Sequence, residues 1–415
     1  MKILLLLFWL AFSLMLNAQT NNSPFDYYSP NVALQVGIDG SYDLNSTSLT
    51  NDFTSKFLLK KEINNQSRER SFNKLDSLNQ FGGDINLGAH FIVSPDSFFG
   101  KSNMAWYMGL RSRKHTNGEF SRDFFNLGFF GNSRFEDKTA DLSGFEFNLL
   151  SYQQIEGGII FNQGKSGIGL SVLRGNQHQS LTMPIANVYT APGLEFVDVD
   201  LLLNLRRTDP ERIGFQYTNG VGVSLDLFTT INFGTLDTLQ HRILLEVRDL
   251  GLIRWNKNAT QYTVDTNYRF HHFSFDDIFI LRDSVFDSGF SDSSLVSQAS
   301  DVKKSYTTVL PAFFHLAEIF TINEDLSVMG GIKYRVLANY NVNYYISGIY
   351  QITPVFKISA RLDFGGYGGL NSGLAIRALI KEYFTLTLGT DNLEGFLFPA
   401  ITSGNSAFIA IHRRF

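Results

Sequence analysis

The chain has 415 residues, a formal net charge of -4 and no cysteine. The absent thiols exclude disulfides, thiolate metal sites and a lipid-modified cysteine anchor, and the weakly acidic balance gives no footing for nucleic acid. A mean hydropathy of -0.05 with 44% hydrophobic residues, 39 Phe and 17 Tyr fits a membrane wall whose polar and apolar faces alternate along each strand.

The N-terminus reads as a secretory signal. Lys2 supplies the positive charge, Ile3 to Leu16 are almost wholly apolar, and Ala18 before Gln19 marks the expected cut. Residues 1–18 are thus expected to be a signal peptide and residues 19–415 one domain, with no linker, composition break or internal repeat. No apolar run reaches the roughly 20 residues that a spanning helix needs. Only helices and closed barrels satisfy every backbone group in lipid, so a barrel is the spanning form left.

Strands follow in order. Val32 to Tyr42 and Gly83 to Val93 are less regular. Met104, Trp106, Met108 and Leu110 then oppose Tyr107, Arg111 and Arg113. Gly144 to Phe161 and Gly167 to Arg174 flank the turn Asn162-Gln163-Gly164-Lys165-Ser166. Val223, Leu225 and Leu227 oppose Ser224 and Asp226, and Ile243, Leu245 and Val247 oppose Arg242, Glu246 and Arg248. Gln261 to Phe270, Ser305 to Ile322 and Asn341 to Tyr350 read as further strands, and Ile332, Tyr334 and Val336 oppose Lys333 and Arg335.

The clearest strand is Val355 to Phe364. Phe356, Ile358, Ala360, Leu362 and Phe364 share one face, and Lys357, Ser359, Arg361 and Asp363 the other. After the glycine turn at Gly365 to Gly369, Leu374, Ile376, Ala378 and Ile380 oppose Arg377 and Lys381, and Phe384, Leu386 and Leu388 oppose Thr385 and Thr387. The last strand runs from Ser406 to an aromatic carboxyl terminus, Phe415, expected to close the sheet against Val32 to Tyr42 and to serve the barrel-assembly machinery as an address. Asn45 to Phe81, Lys114 to Asp141, Asn176 to Asn219 and Phe275 to Lys304 read as loops, with short helices at Phe120 to Phe130 and Phe275 to Arg282. The expectation is an all-β transmembrane antiparallel barrel of about 14 strands, an even number between about 12 and 16.

No catalytic set emerges. Gly164-Lys165-Ser166 lacks the earlier glycine of a phosphate loop, Ile159 standing in its place, and joins two strands where a phosphate loop opens a helix. His271 and His272 are adjacent and point to opposite faces of a strand. His412 alternates with Ile411 and faces the lumen, the wrong side for a lipid-facing hydrolase. No metal, cofactor or enzymatic activity is implied. The charges expected in the lumen are Arg111, Arg113, Asp226, Arg242, Glu246, Arg248, Lys333, Arg335, Lys357, Arg361, Asp363 and Arg377, nine of them basic. Such charges either select anions or pair and close the lumen. Asp76-Ser77-Leu78, Asp237-Thr238-Leu239 and Asp283-Ser284-Val285 resemble O-glycosylation acceptor sequences of Bacteroidota.

Three segments carry a family resemblance: Phe130-Gly131-Asn132, Val247 to Asn256 (VRDLGLIRWN) and Asp391 to Pro399 (DNLEGFLFP). In order and spacing they resemble a Bacteroidota outer-membrane β-barrel family of unknown function, similar in architecture to fatty-acid-transporter-like barrels and to barrel subunits of the type IX secretion system. The resemblance covers nearly the whole chain beyond the signal. It implies a barrel of the Gram-negative outer membrane, partly closed by its N-terminal residues, that passes or binds a small hydrophobic or amphipathic molecule. The alternative is an accessory or anchoring barrel of a secretion or envelope complex. Outer-membrane lipid, the assembly machinery and envelope proteins are the implied partners. Within the motifs, Gly251 is expected at a bulge or kink, Trp255 as an interface anchor and Glu394-Gly395 as a turn. Arg413 departs from the usual apolar residue of a terminal strand and is expected to snorkel at the interface.

Overall fold

The computed structural model describes residues 32–97, 103–236, 239–271, 302–336, 339–381 and 383–415. The signal segment, the Phe275 to Arg282 helix, His272 and the acceptor triplet at 283 lie outside these residues, and the triplet at 237 does so in large part. The strands are β1 Leu34–Ser46, β2 Leu78–Val93, β3 Ala105–Ser121, β4 Lys138–Asp141, β5 Phe145–Phe161, β6 Ser166–Thr190, β7 Phe196–Arg207, β8 Gly220–Leu236, β9 Leu239–Trp255 and β10 Thr260–His271. They continue as β11 Val302–Lys303, β12 Thr307–Val309, β13 Phe313–Thr321, β14 Leu326–Arg335, β15 Asn341–Thr353, β16 Phe356–Gly366, β17 Leu370–Ile380, β18 Phe384–Thr390 and β19 Gly404–Arg414. Among the described residues four α-helices lie in the loops: α1 Asn51–Leu58, α2 Asn65–Phe72, α3 Arg122–Phe130 and α4 Leu393–Leu397.

Fourteen of the strands close on themselves. The wall runs β1-β2-β3-β5-β6-β8-β9-β13-β14-β15-β16-β17-β18-β19 and back to β1, every pair antiparallel. The seam pairs Gln35 with Arg414 through Asn45 with Gly404, so no wall edge is left with unpaired backbone. Both chain ends of the wall lie at the end with the short turns. One of these is the Asn162-Gln163-Gly164 hairpin, where Asn162 and Gln163 take φ of 54° and 57° and Gly164 takes 86°.

The wall is lopsided. Strands β2, β3, β5, β6, β8 and β9 have 16 to 25 residues, well beyond the roughly 9 to 11 that cross a bilayer. Strands β13 to β19 have 7 to 13. On the tall side, Phe81, Phe120, Phe145, Phe147 and Leu149 alternate with lumen residues and so lie on the outer face of the wall. There α1 to α3 cover them: Phe53 meets Phe125 at 5.2 Å and Phe129 at 4.9 Å between ring centroids, over a cluster that includes Phe120, Phe147 and Leu149. Ser121 caps α3 by accepting from the Phe124 N–H, and Thr50 caps α1 in the same way. Above this, β4, the upper part of β6, β7 and β10 form a four-stranded sheet outside the wall, its apolar face packed on Leu127 and Phe135.

Two loop expectations are corrected. Lys114 to Ser121 continue β3, and Asn176 to Thr190 continue β6, followed by β7. These stretches are polar because one face lines the upper lumen or meets solvent, which removes the hydrophobic signal without removing the strand. Gln261 to Phe270 is a strand, but it stands outside the wall, paired with β7.

Candidate functional site

Inside the wall the side chains form layers. Near the short-turn end, Ile92, Ala105, Tyr107, Ile160 and Phe228 make an apolar floor. Above it, Arg111 lies between Asp39 (Nη1 to Oδ2 3.4 Å) and Glu156 (Nε to Oε2 3.6 Å). The Tyr107 hydroxyl donates to Glu156 at 2.6 Å, His90 Nδ1 is 3.7 Å from Asp39, and the rings of His90 and His412 lie 5.3 Å apart.

The next layer crosses the lumen. Arg335 on β14 holds Asp84 on β2 with both Nη atoms, at 2.8 and 3.0 Å. These strands are seven places apart in the fourteen-stranded wall, so the pair spans its diameter. His115 Nδ1 meets the same carboxylate at 2.7 Å, and the Tyr367 hydroxyl is 3.3 Å from His115 Nε2. The Tyr367 ring lies so close to β2 that a Cβ on Gly82 would be 2.1 Å from it. A second tie joins Arg113 Nη1 on β3 to Asp249 Oδ2 on β9 at 2.7 Å. Arg248 meets Glu246 at 3.1 Å, and Glu246 in turn meets His315 at 3.2 Å, whose Nε2 is 2.6 Å from the Tyr345 hydroxyl. Arg361 is held by Asp363 at 3.1 Å, by Asn343 at 3.0 Å and by Asp391 at 3.7 Å.

Nine of the twelve charges expected in the lumen are buried or partly buried in these layers. Arg242, Lys357 and Arg377 lie on the same face but are solvent-exposed, near the short-turn end. Lys333 is buried with its ammonium 5.1 Å from the Tyr345 ring centroid. The acids Asp39, Asp84, Glu156, Asp249 and Asp391 and the histidines at 90, 115 and 315 were not among the residues expected in the lumen, although Asp249 and Asp391 stand in two of the family motifs. Alternation exposes the first three: Asp39 follows Ile38, Asp84 precedes Ile85 and Glu156 follows Ile155, and those neighbours face outward.

Asp249 needed a feature that periodicity does not carry. It sits at φ +55°, an extra residue opposite Asp226, whose Oδ1 accepts its N–H at 2.6 Å. This bulge places Arg248 and Asp249 on the same face and inverts the alternation beyond it. Trp255 therefore turns inward and is fully buried. It stacks on His178 at 5.4 Å and donates to the Thr308 hydroxyl at 2.9 Å, which corrects its expected place at the membrane interface. The bulge is at 248–249, two residues before Gly251. Glu394-Gly395 is likewise no simple turn: both lie within α4. His412 faces the lumen, and Arg413 lies outside at the rim over Phe384 and Phe415, 5.3 and 4.3 Å from their ring centroids. Phe415 itself is exposed, its N–H donating to Leu34 O at 2.9 Å.

Among the described residues the lumen holds a polar cavity of about 100 Å³ toward the loop end, bordered by Asp43, Asp84, Lys333, Arg335, Arg361 and Asp363. It has room for a few waters. Among the described residues no cluster of His, Asp and Glu could hold a metal ion.

No curated protein matches the chain. Solved structures of similar shape include a monoaromatic hydrocarbon channel, a TodX deltaS2S3 mutant (9% identity, 98% of each chain, TM-score 0.46). Others are a Pseudomonas aeruginosa FadL homologue (9%, 94% of this chain and 93% of that one, TM-score 0.38) and the translocator domain of the autotransporter NalP from Neisseria meningitidis (9%, 94% and 91%, TM-score 0.38). At such identities and scores they carry no argument about what this barrel does. A family model matches residues 21–391, nearly the whole described barrel, and by that match the chain belongs to the family of unknown function DUF5723.

Proposed function

We propose that this protein is an integral β-barrel of a Gram-negative outer membrane, exported by residues 1–18, that does not conduct. In this reading it is an accessory or anchoring element of an envelope complex and holds a folded subdomain at the cell surface. One observation carries the reading: the lumen is filled by its own paired charges, with trans-lumen ties Arg335–Asp84 and Arg113–Asp249 above an apolar floor. A path for a hydrophobic molecule needs a continuous apolar pocket, and the described lumen offers a small polar one. The long-loop end carries α1 to α3 and the extra sheet, which by the usual orientation of bacterial barrels lies outside the cell.

Reconstitution of the full-length protein into planar bilayers and vesicles tests this. The expected result is no ion current and no faster transfer of a fluorescent fatty acid than in protein-free vesicles, together with a partner recovered in fixed ratio on mild-detergent purification from native membranes. Saturable, protein-dependent transfer of the fatty acid would overturn the reading in favour of a carrier of hydrophobic molecules.

A further inference from the structure

The motif Asp391 to Pro399 divides by face. Its polar residues turn inward and are tied down. Asp391 reaches Arg361, and Asn392 donates to Asn45 Oδ1 at 3.0 Å. Glu394 accepts from the Ser372 N–H at 2.9 Å and from the Ser372 hydroxyl. Gly395 lies against the wall, where a Cβ would fall 2.1 Å from Gly404 O. The backbone beyond is pinned too: Pro399 O accepts from the Asp52 N–H at 2.9 Å, Thr402 O from the Asn51 N–H at 2.8 Å, and Ile401 O from Lys74 Nζ at 2.5 Å. With its polar groups held in this way, the segment presents Phe396, Leu397, Phe398 and Ile401 outward, exposed by 52%, 61%, 56% and 62%.

Four large apolar side chains fixed in the open within six residues need a solvent other than water. Their place in the fold says which. Strand β18 stops at Thr390, short of its neighbours, and α4 fills the space between the upper ends of β17 and β19. Immediately beside it runs the top cross-strand row of the wall, Tyr344, Phe364 and Leu370, paired in register and all strongly exposed. The apolar surface of α4 therefore continues the apolar belt of the short half of the wall.

We infer that α4 and the following turn to Ile401 form an interfacial anchor. Phe396, Leu397, Phe398 and Ile401 lie in the boundary between headgroups and acyl chains of the leaflet at the long-loop end. The inference rests on the reading that the wall sits in a bilayer. It gives the outward half of the motif a role that its inward half, part of the lumen network, does not explain. The occupant is lipid, because the patch is continuous with the lipid-facing belt and is bordered by Lys74, whose ammonium stands at the headgroup side.

Tryptophan reporters test it in a Trp106→Phe background, where the buried Trp255 supplies a constant signal. Phe396→Trp and, as an independent reporter, Phe398→Trp are placed in phosphatidylcholine vesicles labelled with shallow or deep spin or bromine quenchers. Leu362→Trp marks the outer face of the wall one row below Phe364, and Thr139→Trp marks the sheet above the wall. The expected result is strong quenching of the α4 reporters by shallow labels and weaker quenching by deep ones, with Leu362→Trp quenched by deep labels and Thr139→Trp by neither. If both α4 reporters match Thr139→Trp while Leu362→Trp is quenched, the anchor is refuted, the barrel reading stands and the patch is left to a protein partner. If Leu362→Trp also escapes quenching, the bilayer reading itself fails.

Discussion

At the scale of single residues the molecule is governed by pairs that cannot be halved. Asp84 receives both Nη atoms of Arg335 and one ring nitrogen of His115 in a largely buried layer beside the small polar cavity. Arg335→Ala leaves that carboxylate under-compensated and is expected to cost about 3–5 kcal/mol, whereas Arg335→Leu with Asp84→Leu should recover most of the loss. Denaturant unfolding in detergent, followed by tryptophan emission, distinguishes the two, and equal losses would mean that the pair is not a unit. Phe415 belongs to the opposite regime. Its ring is exposed and contributes little to packing, yet its N–H completes the seam with Leu34. Removing it should lower the heat-modifiable folded form in the outer membrane while leaving export unchanged. Normal folded levels would show that the aromatic end is incidental to assembly.

At the scale of elements, legibility followed regularity. Strand β16 was readable because no bulge interrupts Phe356 to Phe364 and its two faces meet different solvents: Ser359, Arg361 and Asp363 are buried while Phe364 is exposed. Ile358→Arg should therefore cost about 2–4 kcal/mol near mid-membrane, and Arg377→Ala, on the lumen face but solvated, should cost far less, both measured by reversible unfolding in lipid. Strand β9 was readable only to Arg248. One residue at positive φ then exchanged its faces, and an alternation rule carried past that point placed Trp255 outside. Asp249→Asn keeps a side chain that tolerates the left-handed region. Asp249→Val does not, and should lose roughly 1–3 kcal/mol more from backbone strain. If the two variants are equally stable, the bulge is relaxed by other means. The upper parts of β3 and β6 were unreadable for another reason: above the short half of the wall their outer faces meet helices or water, so the composition of loops and strands converges there. The lumen was half legible. Its basic residues stood out on regular strands together with Glu246 and Asp363, while Asp39, Asp84 and Glu156 lay on strands whose glycines and small residues blur the pattern.

At the scale of the whole molecule, the tall and short halves of the wall set a sidedness that labelling can read. The chain has no cysteine, so single introduced thiols report cleanly. Thr139→Cys, on the sheet above the tall half, should react with an impermeant maleimide on intact cells, and Asn162→Cys, in the short hairpin, only after the outer membrane is opened. The reverse pattern would invert the orientation. The seam has a consequence in time. Strand β1 needs β19 as its neighbour, yet the ribosome makes β19 last, after every other strand of the wall. Until β19 meets β1 in the membrane, the assembling sheet is at most a ribbon with two raw margins, each able to template a neighbouring chain, and the contact that ends this hazard joins strands far apart in sequence. Folding is therefore bound to be slow in its final step, and the nascent wall depends on chaperoned margins for as long as that step takes.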